Sequence, residues 1–367
     1  MADETKRFMA MKGAGYYSKA TTGARDAING ATPLVIEAIR KMRLNHGDSS
    51  VFRAVDMGAA DGGTSLEMWG KVLTEIRAQA PLRPIELVYT DLPRNDFSQL
   101  FKIVHGQTDL ESYLTEIDNV YVLASGTSFH EAILPAGTLD LGFSATASHY
   151  VSQTPCQITN HVHMVGAAGR EREAFVEQGR KDWERMLLQR VKELKPGGRL
   201  VLFNFGIDEE GRYLGNTGGV NMFNTFEEIW YELAVEGVTS RDEYLATNFP
   251  QVYRTTAEFV APLKAPSSSV YQAGLRLEHV ESRVVKCPYA GEFASHRDAK
   301  RFARDYIPTL RSWSEPTFAQ GLAGDRSAQE KQAILDEFYG RYERRVARSP
   351  HGHGMDYVHI DLICAKV

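Results

Sequence analysis

The chain has 367 residues, of which 43% are hydrophobic and 24% charged, a balance typical of one large globular domain or of a domain with sizeable insertions. The formal net charge of −5, without a dense stripe of Lys and Arg, argues against a nucleic-acid partner. No apolar run approaches the roughly 18 to 20 residues that span a bilayer, and the start MADETKRF does not resemble a secretory signal, so we expect a cytoplasmic protein with no membrane partner.

Residues 51–205 alternate strand-like runs with helical segments. The runs VFRAVDMG, IELVYTDL, NVYVLASG, LDLGFSA and RLVLFNFG are each bounded by Gly, Pro or Asp, as is typical of buried strands in a parallel sheet. Apolar residues recur every three or four positions in residues 170–194, which predicts a helix that ends at the KPGG turn, residues 195–198. The alternation predicts an α/β fold with a Rossmann-like, doubly wound, mostly parallel sheet.

After Gly206 the pattern changes to amphipathic helices interleaved with two strands. We predict helices near residues 222–235, 240–246, 255–260, 299–310 and 328–346, a loop at 265–269, and strands near 275–285 and 357–364. The late strands are expected to complete the sheet, while the helices form a cap over its carboxyl edge, where ligands of open α/β sheets bind. We divide the chain into an N-terminal cap segment (1–30), a nucleotide-binding core (31–206), a helical cap (207–270), and sheet-completing strands with cap helices (271–367).

A glycine-rich turn, VDMGAADGG at residues 55–63, follows the first strand and opens a helix. Such a turn lets the backbone come close to a ligand and aims helix N-terminal N–H groups at it. Ala60 stands where a dinucleotide fingerprint carries its middle glycine; it crowds a pyrophosphate but is tolerated beside a ligand without phosphates. Asp91 ends the second strand, where an acid can accept hydrogen bonds from ribose hydroxyls. The alternative is that Asp56 and Asp91 merely cap helices.

Six ordered motifs resemble one enzyme family. They are MKGAGYYS (11–18), DLPRNDF (91–97), GTSFH (126–130), SHYVSQTP (148–155), NFPQVY (248–253) and RSWSEP (311–316). With LKPGGRLVL (194–202), which resembles the late-strand signature of class I S-adenosylmethionine (AdoMet) methyltransferases, the chain resembles the SABATH family of carboxyl methyltransferases over nearly its whole length. That family includes salicylate, benzoate, jasmonate and indole-acetate methyltransferases and the caffeine-pathway N-methyltransferases.

The resemblance implies AdoMet as cofactor, S-adenosylhomocysteine (AdoHcy) as product, a small carboxylic acid as substrate and a homodimer. Together with the turn, it indicates these cofactor contacts: Tyr17, Ser18, Asp56, Gly58, Ala60, Gly62, Asp91, Leu92, Ser128, Phe129 and Ser144. It implies that the acceptor pocket is lined by Lys12, Thr146, His149, Tyr150, Phe223, Tyr253, Leu310 and Trp313.

The chain departs from the family pattern in three places. Residues 59–64 read AADGGT where the family has C-S-S-G-x-N, and Tyr150 replaces a Trp that binds the substrate carboxylate. The family glutamine that shares that carboxylate has no clear counterpart, since Arg25 or Asp26 falls nearest. These changes leave the identity of the acceptor open.

A carboxylate acceptor is already ionised at neutral pH and a sulfonium methyl is already activated, so this chemistry needs alignment and exclusion of water rather than a general base. Tyr150 can hold one carboxylate oxygen, Arg25 can pair with a carboxylate, and aromatic side chains can sandwich the acceptor body. His149 either orients the acceptor or acts as a base for a phenol or nitrogen, and it is also a plausible structural residue. Tyr150 and His149 are the predicted catalytic residues.

Two H-x-H pairs, at 161–163 and 351–353, have the look of metal ligands. Neither has a nearby set of Cys or carboxylates, so we interpret both as surface loops and expect no metal. Cys156, Cys287 and Cys364 are far apart and odd in number, which favours core thiols over disulfides.

The leading hypothesis is an AdoMet-dependent O-methyltransferase that acts on the carboxylate of a small aromatic or isoprenoid acid. The nearest competing hypothesis keeps the cofactor and methylates a ring nitrogen or a phenol. Two hypotheses of different classes are an NAD-type oxidoreductase on the same sheet and a catalytically inactive cofactor-binding module.

Overall fold

One eight-stranded sheet organises residues 22–367, the part of the chain that the computed structural model describes. Its strands are β1 (Phe52–Met57), β2 (Ile85–Thr90), β3 (Val120–Ser125), β4 (Leu139–Ala145), β5 (Leu194–Ile207), β6 (Arg254–Thr255), β7 (Leu275–Val285) and β8 (Tyr357–Lys366). Their order is β3-β2-β1-β4-β5-β8-β7, with the short β6 beside β5. Strands β1 to β5 run parallel, and β8 is antiparallel to both β5 and β7. The predicted mostly parallel sheet, completed by the two late strands, is confirmed.

Helices cover both faces of the sheet and one of its ends. They are α1 (Thr22–Met42), α2 (Leu66–Gln79), α3 (Phe97–Val104), α4 (Gly169–Glu193), α5 (Met222–Val235), α6 (Arg241–Ala246), α7 (Thr256–Lys264), α8 (Ser269–Gln272), α9 (Pro288–His296), α10 (Ala299–Gly321) and α11 (Ala328–Arg348). A short 3-10 turn lies at Tyr113–Thr115. Helix α1 runs across position 30, where we placed the first segment boundary; the segment boundaries stay predictions.

Side chains of β1 point alternately to the two faces of the sheet, and both faces are apolar, so helices must cover both. Phe52 and Ala54 pack on one face with residues of α1 and α2, whereas Val55 and Met57 pack on the other with Trp183 of α4. Every residue of β4 is buried. A strand buried on both sides reads as a continuous apolar run, which is why the sequence pattern identified these strands.

An aromatic cap of helices α5, α10 and α11 closes the carboxyl edge of the sheet. Phe205, near the end of β5, and Tyr357, at the start of the antiparallel β8, lie at that edge, and both belong to the core of the cap. Phe226 and Trp313 pack with rings 6.0 Å apart within this core. The cap therefore sits where an open α/β sheet binds its ligands.

Helix α10 is longer than its sequence pattern indicated. We predicted an end near residue 310, but the helix continues to Gly321 through Pro308 and Pro316. Each proline removes a backbone N–H donor and normally bends or stops a helix. Burial of Trp313 and Phe318 in the cap core offsets that cost, a tertiary effect that the local pattern does not contain.

The KPGG segment is part of strand β5, which begins at Leu194, rather than a turn that precedes the strand. The register with β4 shifts here, because Leu194 pairs with Leu139 while Arg199 pairs with Leu141. Gly197 has a φ of 79°, a left-handed conformation that glycine adopts without steric cost. The four residues thus form an irregularity inside the strand.

Within residues 22–367, none of the helices combines the length and the apolar character that crossing a membrane requires.

A buried ion pair ties helix α4 to the loop after β3. The guanidinium of Arg190, fully buried, donates to the carboxylate of Glu193 at 2.7 and 2.9 Å and to the carbonyls of Phe129 at 2.8 Å and Glu131 at 2.7 Å. Because Phe129 is a predicted cofactor contact, we expect this cation also to position the edge of the site.

We expect Arg190→Met to lower the free energy of unfolding by about 3–5 kcal/mol, since it leaves the Glu193 carboxylate buried without a cation. Urea denaturation measures this loss. Arg180→Met is the matched control on the same helix: Arg180 pairs with Glu177 and Glu184 at the surface, where such pairs contribute about 0–1 kcal/mol. Equal losses of unfolding free energy in the two variants would contradict a stabilising role of the buried Arg190–Glu193 pair.

Candidate active site

The glycine-rich turn after β1 has three residues in left-handed conformations. The φ angles are 74° at Gly58, 50° at Ala60 and 76° at Gly62. A Cβ at Gly58 would lie 2.4 Å from the Cβ of Ala147, so only glycine allows this approach. Ala60 does carry a Cβ, and its conformation therefore needs support from its surroundings.

That support comes from two side chains of the DLPRNDF motif, Asp91 and Asn95, which we call the Ala60 clamp. The Ala60 N–H donates to Asp91 Oδ2 at 2.8 Å, and Asn95 Nδ2 donates to the Ala60 carbonyl at 2.7 Å. The Leu92 N–H donates to the other Asp91 oxygen at 2.7 Å. Burial raises the pKa of Asp91, and these backbone N–H donors oppose that rise. Asn95 was not among the predicted site residues, although it stands inside the most specific motif.

Several backbone N–H groups of the turn already have partners in the protein. Those of Gly58 and Ala59 donate to the Thr90 carbonyl at 2.8 and 3.1 Å, and that of Gly62 donates to the Ala59 carbonyl at 2.8 Å. The Ala60 N–H also has a partner, Asp91. The N–H groups expected to face a ligand belong to the N-terminus of the helix that begins at Leu66, so that expectation stays a prediction. A pyrophosphate needs free N–H donors, which Gly58, Ala59, Ala60 and Gly62 do not offer. The turn is therefore predicted to suit a nucleoside ligand without phosphates, for which close approach is enough.

Two predicted cofactor contacts direct their polar atoms into the protein. Asp56 Oδ2 accepts from the Ser65 hydroxyl at 2.6 Å and from the Trp69 indole N–H at 2.8 Å, and burial raises the pKa of Asp56 to about 6. The Ser144 hydroxyl donates to the Met57 carbonyl at 2.9 Å. Both side chains fasten β1 to its neighbours, and their contact with the cofactor stays a prediction.

The remaining predicted cofactor residues divide into two groups. The ring of Phe129 lies 4.0 Å from the Cβ position of Gly58, and Ser128 Oγ accepts from the His130 N–H at 3.3 Å, so this loop borders the turn. Tyr17 and Ser18, like the predicted acceptor residue Lys12, lie outside the described residues.

A cavity of about 30 Å³ lies between the sheet edge and the cap, and we call it the acceptor cavity. Its described walls are formed by Thr146, His149, Tyr150, Phe205, Leu214, Gln251, Tyr253, Trp313, Met355 and Tyr357. Five of these ten were predicted from the sequence. The others were missed because Phe205 and Tyr357 read as strand residues, while Leu214, Gln251 and Met355 lie in loops whose course only the fold decides.

The acceptor cavity adjoins the glycine-rich turn through residues at the end of β4. Ala147 meets the Gly58 backbone, and its neighbour Thr146 lines the cavity with a φ of 53°. A β-branched residue rarely adopts this left-handed conformation, and such strain is concentrated at functional sites. The Thr146 N–H donates to the Phe203 carbonyl at 2.8 Å, which holds the strained residue in place.

Backbone pairing brings two motifs together at the cavity. Tyr150 and Gln251 form an antiparallel bridge, the Val252 N–H donates to the His149 carbonyl at 2.8 Å, and the Val151 N–H donates to the Pro250 carbonyl at 3.0 Å. The SHYVSQTP and NFPQVY loops are about a hundred residues apart in sequence. Their pairing sets the relative positions of the predicted catalytic residues and the far wall.

Three predicted acceptor residues do not line the described walls of the cavity. Phe223 and Leu310 are fully buried in the core of the aromatic cap. Arg25 is half-buried at the start of α1 and lies near Glu67, whose pKa is lowered mainly by Lys71 and in part by Arg25.

The described walls of the acceptor cavity carry no Lys, Arg, Asp or Glu side chain. Burial, together with a smaller effect of the charge of Arg254, lowers the pKa of His149 to about 3, so the imidazole is neutral at ordinary pH. Four buried polar atoms on these walls have no hydrogen-bond partner: His149 Nδ1, Gln251 Oε1, Tyr253 Oη and Trp313 Nε1. Such atoms are costly unless a ligand or water satisfies them.

The interpretation of the H-x-H pairs as surface loops is wrong for three of the four histidines. His161, His163 and His353 are buried, and the ring of His163 stacks on Phe223 with centroids 4.0 Å apart. Cap helices cover these loops, which the local sequence cannot reveal. Within residues 22–367, no three His, Cys, Asp or Glu side chains cluster as a metal site would require.

The three cysteines are free thiols. Cys287 and Cys364 are buried, as predicted for core thiols, whereas Cys156 is half-buried.

Comparison with known proteins agrees with the Rossmann-like sheet and with the glycine-rich turn predicted to bind a nucleoside. The family described as SAM dependent carboxyl methyltransferase matches residues 5–364, so the chain belongs to that family. Indole-3-acetate O-methyltransferase 1 of Arabidopsis thaliana is 26% identical over 286 residues, 72% of this chain and 74% of the relative. O-methyltransferase acrG of Aspergillus aculeatus is 28% identical over 363 residues, 94% and 92% of the two chains.

A solved structure has the same fold. Loganic acid methyltransferase with SAH matches with a TM-score of 0.76 and 16% identity over 97% of this chain and 98% of that one. The family membership confirms the SABATH resemblance and the AdoMet cofactor, and it makes the protein a carboxyl methyltransferase rather than an NAD-type oxidoreductase.

We expect Gly58→Ala to weaken AdoHcy binding at least tenfold, because the new Cβ would push the turn away from Ala147 and out of its ligand-binding shape. Calorimetric titration with AdoHcy measures the affinity. Gly211→Ala is the matched control, since Gly211 has almost the same φ, 75°, with no atom within 4 Å of its Cβ position. It reports the backbone strain alone, about 1–2 kcal/mol. Unchanged AdoHcy affinity in Gly58→Ala would contradict the proposed fit.

Proposed function

We propose that this enzyme transfers the methyl group of AdoMet to the carboxylate of a small aromatic or isoprenoid acid and releases the methyl ester and AdoHcy. The observation that carries the proposal is the acceptor cavity, whose uncharged aromatic walls adjoin the glycine-rich turn through Thr146 and Ala147. Relatives named for indole-3-acetate and gibberellic acid, and a structural neighbour named for loganic acid, support an acid as acceptor.

Bound AdoMet supplies an activated methyl group on a sulfonium. The glycine-rich turn and the Ala60 clamp are fitted to hold the nucleoside, and Asp91 keeps lone pairs free for ribose hydroxyls. Tyr150 is positioned to hold one oxygen of the acceptor carboxylate, which leaves the other oxygen to attack. The rings of Tyr253 and Trp313 orient the body of the acceptor and exclude water.

The uncharged walls suit a reaction in which charge disappears. A carboxylate and a sulfonium become a neutral ester and a thioether, so an environment that solvates charge poorly favours the transition state over the separated ions. A carboxylate is ionised at neutral pH, with a pKa of about 4, and therefore needs no base.

The lowered pKa of His149 favours an acid over a phenol or nitrogen acceptor. Effective general bases have a pKa near the operating pH, whereas burial lowers the pKa of His149 to about 3. Its ring packs against those of Tyr150 and Phe205, with ring centroids 4.2 and 5.1 Å away. Such packing suits a residue that orients the acceptor. Arg25 is proposed only as an auxiliary cation at the mouth of the site.

We also propose that the enzyme is a homodimer, as the family resemblance implies; its cytoplasmic location stays a prediction from the sequence. Edge strand β3 exposes Tyr121 and Leu123, which supports a contact between subunits at this side of the sheet.

With labelled AdoMet and a panel of benzoate, indole-3-acetate, farnesoate, simple phenols and purines, we expect label in a base-labile ester for at least one acid. The reason is that the described walls of the acceptor cavity hold no effective base for a phenol or a ring nitrogen. Asp91→Ala, which breaks the Ala60 clamp, is expected to lose at least 90% of the activity. Asp96→Ala, in the same motif, removes only the helix cap of α3 and should retain it. Only base-stable products would contradict the proposal.

With an acid acceptor, we expect kcat/KM to vary by no more than about twofold between pH 6 and 8, since at pH 6 the buried Asp56, whose pKa is raised to about 6, is still half ionised. His149, with its pKa lowered to about 3, binds no proton in this window, and the acceptor is ionised throughout it. A base with an ordinary His pKa would instead be protonated as the pH falls below about 6.5, and the rate would fall with it. Initial rates measure the profile, and circular dichroism at each pH confirms that the protein stays folded.

A further inference from the structure

A buried histidine and a buried glutamine lie side by side at the wall of the acceptor cavity. His163 and Gln251 are at most 1% exposed, and each has one polar atom without a hydrogen-bond partner, Nε2 of the histidine and Oε1 of the glutamine. Gln251 also lines the acceptor cavity, whereas His163 does not. Two unsatisfied atoms on adjacent buried side chains are expensive, so their arrangement calls for a physical reason.

The hydrogen bond at the other ring nitrogen decides the tautomer of His163. The Val165 N–H donates to Nδ1 at 3.2 Å, so Nδ1 is an acceptor and carries no proton. Burial lowers the pKa of His163 well below its usual value, with His161 and His149 adding to the effect, so the ring is neutral. A neutral imidazole without a proton on Nδ1 carries it on Nε2. His163 Nε2–H is therefore a donor.

This donor decides which way the Gln251 amide points. The Gln251 side chain is close enough to hydrogen-bond the His163 ring, a contact that partly raises the pKa of the ring against the effect of burial. The oxygen and nitrogen of an amide have nearly the same shape, so their placement follows from the hydrogen-bond network. When Oε1 accepts from His163 Nε2–H, both unsatisfied atoms gain a partner. The amide NH₂ group is then left for the acceptor cavity.

We infer that Gln251, oriented by His163, donates its amide N–H to the acceptor carboxylate and so selects ionised acids. This inference rests on the proposed function. Tyr253 O–H and Trp313 Nε1–H, also without partners, are further neutral donors on the described walls, in addition to the Tyr150 hydroxyl that the proposed function assigns to the carboxylate. An ionised carboxylate only accepts hydrogen bonds and offers about four lone-pair sites, so it matches such a set, whereas an amine does not. Gln251 is a binding residue and His163 a positioning residue.

A neutral donor set has a consequence for turnover. A hydrogen bond from a neutral group to a charged acceptor contributes roughly 10- to 100-fold to affinity. The ester product has lost that charge and keeps only weaker acceptors, so it binds less tightly than the acid. A lysine or arginine in the place of Gln251 would bind the acid in a stronger ion pair, which methylation would then have to break.

The first experiment measures acid binding apart from catalysis. Benzoate, indole-3-acetate and farnesoate are titrated into the AdoHcy complex of the full-length enzyme by calorimetry. Gln251→Met, which keeps the length of the side chain and removes the amide, is expected to weaken the tightest-binding acid 10- to 100-fold. AdoHcy affinity and Tm should stay unchanged. Gln153→Met is the matched control, because Gln153 is exposed and lies in the same loop as Tyr150.

The second experiment separates positioning from packing at His163. His163→Phe keeps a ring on Phe223 but lacks the Nε2–H donor, and it should raise the KM for the acid at least fivefold with kcat changed less. His163→Gln retains a donor near the position of Nε2 and should restore part of the KM. If His163 were merely structural, the KM of His163→Phe would be closer to that of the wild type than the KM of His163→Gln.

The outcomes distinguish the two proposals. If the wild type forms ester and Gln251→Met binds the acid as well as Gln153→Met does, the role of Gln251 is overturned and the function stands. If the wild type binds an acid and forms no ester, the proposed function is overturned. The binding titrations alone then test whether Gln251 binds the acid. If no acid binds the AdoHcy complex, both are overturned.

Discussion

The Ala60 clamp is the interaction on which the cofactor side of this enzyme depends. Ala60 occupies a left-handed conformation between two glycines, and Asp91 and Asn95 hold its N–H and its carbonyl from the next strand along. Because the N–H groups of Gly58, Ala59, Ala60 and Gly62 have partners within the protein, these four positions do not offer the free donors that a pyrophosphate would need. The same bonds fix the shape of the turn, which supports the proposed fit to a nucleoside without phosphates.

The acceptor side is organised by a different kind of constraint, the pairing of two distant loops. The bridge between Tyr150 and Gln251 places His149 and Tyr253 on neighbouring walls, and the strained Thr146 connects them to the cofactor turn. The described walls hold no charged side chain, and burial keeps the imidazole of His149 neutral. Orientation and exclusion of water then account for catalysis better than proton transfer does, which agrees with membership of a carboxyl methyltransferase family.

The histidines of the cap show how burial changes the meaning of a motif. His161 and His163 look like metal ligands in the sequence, yet the cap encloses them, and His163 stacks on Phe223. A neutral buried imidazole with one nitrogen occupied by a backbone N–H has a single donor to offer. Its neighbour Gln251 reaches the acceptor cavity, so a side chain of the cap interior can act on the site without touching the substrate.

The sequence by itself determined the sheet, the glycine-rich turn and the family. Periodicity and turn residues are local signals, and motifs such as DLPRNDF keep their spacing along the chain. Only the tertiary structure decided the length of α10 past Pro308, the burial of His163 and the place of Gln251 in the cavity wall. Each of these depends on contacts between residues far apart in sequence: packing of α10 in the cap, cover by the cap helices, and pairing with Tyr150. No local pattern encodes which distant surface a side chain will meet.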